Sequence, residues 1–97
     1  MVKISVQTDD FNIGTEIDQI RKNRTDVGAI VSFTGTVRDT LGDLSNLTLE
    51  HYPGMTEKEL KRIADEAHKR WPILDCTIIH RVGSMEPGEN IVLVVTI

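Results

Sequence analysis

The stretch Leu47-Thr-Leu-Glu-His-Tyr-Pro-Gly-Met-Thr-Glu-Lys58 reads as a strand, a Pro-Gly turn and the capped start of a helix. Leu47, Leu49 and His51 alternate with Thr48, Glu50 and Tyr52, the period of a strand. Pro53-Gly54 breaks it. Thr56 with Glu59 forms a capping box, and Leu60, Ile63, Ala64, Ala67 and Trp71 then share one helical stripe. Glu57–Lys61, Asp65–Lys69 and Glu66–Arg70 are spaced four apart in the favourable acid-first order. Pro72 ends the helix. Strand and helix so close together imply a mixed α and β architecture.

Downstream, Cys76, Ile78, His80 and Val82 alternate with Thr77, Ile79 and Arg81, and Gly83 closes that strand. Pro87-Gly88-Glu89-Asn90 is a turn. Ile91 to Ile97 is almost wholly apolar, which suits a central strand covered on both faces. Upstream, Val2, Ile4 and Val6 alternate with Lys3, Ser5 and Gln7 as a half-buried strand. Asn12 caps a helix whose Ile13, Ile17 and Ile20 share a face. Asn23 to Gly28 is a turn. Ala29 to Arg38 is another strand. One of its faces carries Ala29, Val31, Phe33, Gly35 and Val37, and the other carries Ile30, Ser32, Thr34, Thr36 and Arg38. Asp39 to Asn46 is polar, carries Gly42, and reads as a mobile loop. The class is α+β, and 1–97 is expected to form a single domain.

A chain of 97 residues buries roughly 60–65% of its unfolded surface, so marginal stability is expected. The formal net charge of −4 argues against a general nucleic-acid or anionic-membrane binder. Cys76 is the sole cysteine, so no internal disulfide forms, and a reducing cytoplasm fits. The amino terminus lacks the pattern of a signal peptide, and no apolar run is long enough to span a bilayer. No metal-ligand spacing is present, and nothing calls for a cofactor. An end inside a buried-type strand leads to the expectation that the natural chain continues past Ile97 or is covered by a partner.

Arg38 is the leading functional candidate. Its planar donor fork suits a phosphate or carboxylate, and it stands where a strand meets a loop. The competing reading is a surface arginine paired with Asp39 or Asp43. Gly35 allows either a ligand's close approach or a strand irregularity. Phe33 reads as core from its apolar face. His51 and His80 fall on apolar strand faces and read as satisfied core residues; His68 reads as solvated. Glu50 and Tyr52 either line a pocket or pair with neighbours. Cys76 reads as packing, with no group nearby to lower its pKa.

Three ordered strings carry a family resemblance: Ser32-Phe-Thr-Gly-Thr-Val-Arg-Asp39, Leu47 to Lys58, and Ile79-His-Arg-Val-Gly83. Together they resemble the large, catalytic subunit of molybdopterin synthase, the MoaE-like family, over nearly the whole chain. The resemblance implies an α/β hammerhead fold, with a mixed sheet and two helices in this part. It implies sulfur transfer from a thiocarboxylated, ubiquitin-like MoaD-like carrier to cyclic pyranopterin monophosphate, in molybdenum cofactor biosynthesis. It further implies a large-subunit homodimer with a carrier at each end, a heterotetramer, in the cytoplasm. Thr36, Val37 and Arg38 match the family's substrate-binding segment, and Phe33 lies near it.

The family's remaining pocket residues belong to a Ser-Ala-His-Arg-like stretch and later lysines, which would follow Ile97. His80-Arg81 belongs to an earlier strand and does not replace that pair. Without those lysines, these 97 residues are expected to transfer no sulfur alone. Asp39 to Asn46 is slightly short for the family loop. The rival readings are a non-catalytic interaction module and an unrelated α+β domain that binds a small anion.

Overall fold

A computed structural model of the chain describes residues 2–42, 44–50, 52 and 54–97. In chain order the elements are β1 (Val2–Gln7), α1 (Ile13–Arg21), β2 (Val31–Thr36), β3 (Leu47–Leu49), α2 (Met55–Arg70), β4 (Cys76–Arg81), β5 (Gly83–Met85) and β6 (Asn90–Thr96). Four strands form one sheet in the order β1-β4-β6-β2, and β3 pairs with β5 in a second, two-stranded sheet. β1 runs parallel to β4, whereas β6 is antiparallel to both β4 and β2. The α+β class with a mixed sheet and two helices is therefore as expected. Among the described residues no helix is long and apolar enough to cross a membrane.

The helices cover opposite faces. Strand alternation sends Cys76 and Ile78 to one side of β4, where they meet Ala64 of α2. Ile4 of β1 and Val94 of β6 join them there. Ile79, Leu93 and Val95 point to the other side and pack under Ile13, Ile17 and Ile20 of α1. Leu93 is 0% exposed. β6 is thus central, as its apolar run predicts.

The caps follow local chemistry. Asn12 Oδ1 accepts from the Thr15 N–H at 2.9 Å and opens α1 as the sequence implies. At α2 the expected box is displaced. Gly54 is the cap, in a left-handed conformation (φ 82°), and its N–H donates to Glu57 Oε2 at 2.8 Å. A left-handed residue there favours glycine over any residue with a Cβ. Glu59 instead pairs with Arg62, three residues on. Of the acid-first pairs, Glu66–Arg70 forms at 3.1 Å, while Asp65 is engaged by Lys61. The Trp71 N–H closes the helix on the Ala67 carbonyl at 2.9 Å, just before Pro72.

Several elements depart from the sequence reading. The long strand expected over 29–38 is paired only over Val31–Thr36. The strand expected from Leu47 to Tyr52 is paired over three residues, and its His51 lies outside the described residues. Gly83 does not close a strand; it opens β5. Phe33, expected in the core, is 63% exposed, as is Val31. The reason is lateral position: β2 is the sheet edge farthest from β1, and α2 lies over the β1 side. Ile63 on α2 and Trp71, the residue that caps it, are also exposed, so the expected helical stripe is wider than the surface that covers it.

Candidate functional site

The site candidates lie where β2 gives way to a loop. The register of β2 against β6 shifts between Gly35 and Thr36, which leaves Thr36 opposite Asn90. A Cβ on Gly35 would sit 2.9 Å from Val92 Cγ1. Of the two readings of Gly35, the strand irregularity has direct support: close packing of the irregular strand against Val92 accounts for the glycine.

Beyond the irregularity, the backbone is gripped on both sides of one residue. The Val37 N–H donates to the Glu89 carbonyl at 2.9 Å, and the Gly88 N–H donates to the Val37 carbonyl at 2.8 Å. The Val37 side chain is 3% exposed. Its part in this segment is therefore anchorage, with the next residue directed outward. Arg38 is exposed. Asp39 does not pair with it: the Asp39 carboxylate accepts the N–H groups of Gly42 and Leu44 at 2.8 and 3.0 Å. That turn organises the start of the loop. Among the described residues Arg38 has no hydrogen-bond or ion-pair partner, and the alternative pairing with Asp43 lies outside them.

Thr36, two residues before Arg38 in the chain, is exposed, Thr34 is half-buried and Ser32 is exposed. A solvent-exposed guanidinium following a backbone-anchored residue is suited to a phosphate monoester. Phe33 points to the face opposite Thr34, by strand alternation. The structure thus groups Thr36 with Arg38 at one strand end, buries Val37 beneath them and sets Phe33 on an open apolar face.

The other candidates resolve into structural roles. Tyr52 Oη donates to Glu50 Oε2 at 3.1 Å on the surface, so these two pair with each other. His80 is half-buried, with Nδ1 2.8 Å from the Arg81 carbonyl oxygen. His68 corrects the sequence reading: it is half-buried, Nδ1 lies 2.8 Å from the Ala64 carbonyl oxygen, and Nε2 is shielded from solvent. Its position within reach of the i−4 carbonyl pulls the ring against its own helix. Cys76 is buried, and that burial, aided by the Asp75 charge, raises its thiol pKa. Among the described residues no three His, Cys, Asp or Glu side chains converge on a metal-sized site.

Sequence reasoning passed over Arg81. It is 5% exposed. Nε and Nη2 both donate to the Thr8 carbonyl, at 3.1 and 2.9 Å, and Nη1 donates to the Asn90 carbonyl at 2.9 Å. Asp10 and Glu89 stand 4.0 Å from Nη1 and compensate its charge. The available signal was an arginine on the Thr77–Ile79 face of an otherwise apolar strand. A buried charge of that kind must be paired and hydrogen-bonded.

Comparison with known proteins gives consistent results. The family model described as MoaE protein matches residues 6–97. The molybdopterin synthase catalytic subunit of Brucella melitensis is 57% identical over 94 residues, covering 97% of this chain and 58% of the relative. The Escherichia coli K12 protein of the same name is 52% identical over 94 residues, covering 95% of this chain and 62% of the relative. Among solved structures, the molybdopterin biosynthesis MoaE protein of Burkholderia ambifaria superposes with a TM-score of 0.90 at 48% identity, over 99% of this chain and 63% of that one. Molybdopterin synthase from Staphylococcus aureus gives 0.80 at 30% identity, over 95% and 67%. The chain thus spans 58% and 62% of the length of these two curated relatives. The ordered strings around Arg38, Pro53-Gly54 and His80-Arg81, the mixed sheet they build, and a family match over residues 6–97 lead to one conclusion: this chain belongs to the MoaE family.

Proposed function

We propose that this chain is the substrate-binding portion of a molybdopterin synthase catalytic subunit. The complete protein transfers sulfur from a thiocarboxylated small carrier to cyclic pyranopterin monophosphate, forming the dithiolene of molybdopterin. The observation that carries this reading is the backbone-anchored segment Thr36-Val37-Arg38, which ends in an exposed guanidinium without a partner among the described residues. The name shared by the relatives at 57% and 52% identity supports the reaction.

In this reading Arg38 takes the substrate's phosphate, and the Thr36 hydroxyl adds a donor beside it. A charge-assisted, forked contact of this kind contributes about 1.5–3 kcal/mol. Phe33 offers an apolar surface near that segment, on the opposite face of the strand. The carrier's extended C-terminal tail reaches the same region, as tails enter preformed grooves. The assembly is a catalytic-subunit homodimer with two carriers, working in the cytoplasm.

The test is product formation by the full-length protein. Conversion of cyclic pyranopterin monophosphate is expected with thiocarboxylated carrier, and none with the carrier bearing an ordinary carboxylate. Absence of product in both cases contradicts the assignment.

A further inference from the structure

The Arg38 segment is anchored by the buried Val37 side chain and by backbone hydrogen bonds to the turn between β5 and β6. Val37 exchanges two backbone hydrogen bonds with that turn, through Glu89 and Gly88, and Thr36 stands opposite Asn90. The turn is itself held from beneath. Arg81 donates to the Asn90 carbonyl and, with two other N–H groups, to the carbonyl of Thr8. Asn90 Nδ2 donates to Asp10 Oδ1 at 3.0 Å. The segment after β1, the β5–β6 turn and the end of β2 are thus joined through one buried guanidinium.

We propose that Arg81 is a positioning residue for substrate binding, setting the place from which Thr36 and Arg38 meet the substrate's phosphate. The inference rests on the reading that Arg38 binds that phosphate. The physical argument is geometric. Arg81 uses three donors in a fixed plane to reach two carbonyls that lie on different segments. A lysine keeps the charge but concentrates it at a single nitrogen, which cannot reproduce the fork. With Arg81→Lys the turn loses one of its holds, leaving the Asn90 side-chain bonds to Asp10 and Phe11, and Val37, which is hydrogen-bonded to that turn, shifts with it. Misplacing a binding group by about 1 Å is enough to cost a large part of its interaction.

The experiment measures KM and kcat for cyclic pyranopterin monophosphate, on the full-length protein with thiocarboxylated carrier. The variants are Arg81→Lys, Arg38→Ala and the two combined. Arg81→Lys is expected to raise KM by about tenfold with kcat nearly unchanged, the signature of lost binding shared by ground and transition states. Added to Arg38→Ala, it is expected to change KM by less than about twofold, because residues acting through one another are not additive.

A lowered melting temperature with unchanged KM shows that Arg81 serves stability alone and overturns the proposal. So does an additive KM effect in the double variant. If Arg38→Ala itself leaves KM unchanged, the phosphate-binding reading fails and this inference falls with it. If Arg38→Ala raises KM but Arg81→Lys does not, only the positioning role is lost. Should Arg81→Lys fail to fold, Arg81→Gln takes its place, since its amide has too few N–H groups to replace those that meet the Thr8 and Asn90 carbonyls. The same KM rise, absent in the Arg38→Ala background, is expected from it, and an unchanged KM overturns the proposal.

Discussion

Two arginines, one ending β4 and one just past the end of β2, live in opposite conditions. Arg81, at the end of central β4, is buried and spends its donors on the carbonyls of Thr8 and Asn90. Arg38 follows the end of edge strand β2, is exposed, and has no partner among the described residues. A guanidinium costs a great deal to bury unless its donors are met, so Arg81 is committed to structure. A solvated guanidinium held at a fixed backbone position remains available for a ligand. The same contrast separates the strands. The centre of the sheet is covered on both faces by α1 and α2, whereas the edge carries an uncovered apolar face beside a hydroxyl-bearing one.

The sharpest way to break this comparison is to remove packing at the centre. Leu93→Ala is expected to destabilise the protein by about 3–4 kcal/mol, because a buried leucine leaves a cavity that its neighbours fill only in part. The midpoint of urea unfolding measures it. A loss below about 1 kcal/mol would mean that the centre is not the packed region described.

A smaller effect is expected at Cys76. Burial raises its thiol pKa above the ordinary value of 9.0, so the folded state keeps its proton where the unfolded chain has released it. The stability this group supports is full below the ordinary thiol range and declines as pH rises through it. Native protein should therefore react slowly with a thiol reagent at pH 8, and quickly once unfolded in urea. Equal rates in the two states would place Cys76 outside the core.

The smallest effect is expected at the edge. Phe33→Ala should change stability by less than about 1 kcal/mol, since the ring is mostly exposed and forms little of the core. A loss as large as that of Leu93→Ala would erase the distinction between edge and centre.

How much of this was legible beforehand depends on the kind of information each element requires. α2 was plain because its stripe, its pairs and Pro72 are local signals, although its cap was misplaced from Gly54 to Thr56. β6 was identified as central because an unbroken apolar run has few other uses. β5 was missed because Gly83–Met85 is only three residues, and its partner β3 is equally short. Phe33 was misplaced for a different reason. Alternation says which residues share a face, but only tertiary arrangement says whether a helix covers it. Arg38 was singled out by its neighbours Ser32, Thr34 and Thr36 together with the family resemblance; its position alone favoured an ordinary surface arginine. Arg81 was passed over because its partners are remote in sequence; Thr8 lies 73 residues earlier. The grip of Glu89 and Gly88 on Val37 was invisible for the same reason, since it is made by backbone atoms whose meeting depends on the register of β2 and β6.

The central claim concerns Arg38 and is tested by equilibrium binding of cyclic pyranopterin monophosphate to the full-length protein, wild type against Arg38→Ala, with folding verified by circular dichroism. Loss of one charge-assisted phosphate contact predicts an affinity weaker by at least about tenfold. An affinity equal to wild type in a correctly folded variant would contradict the account.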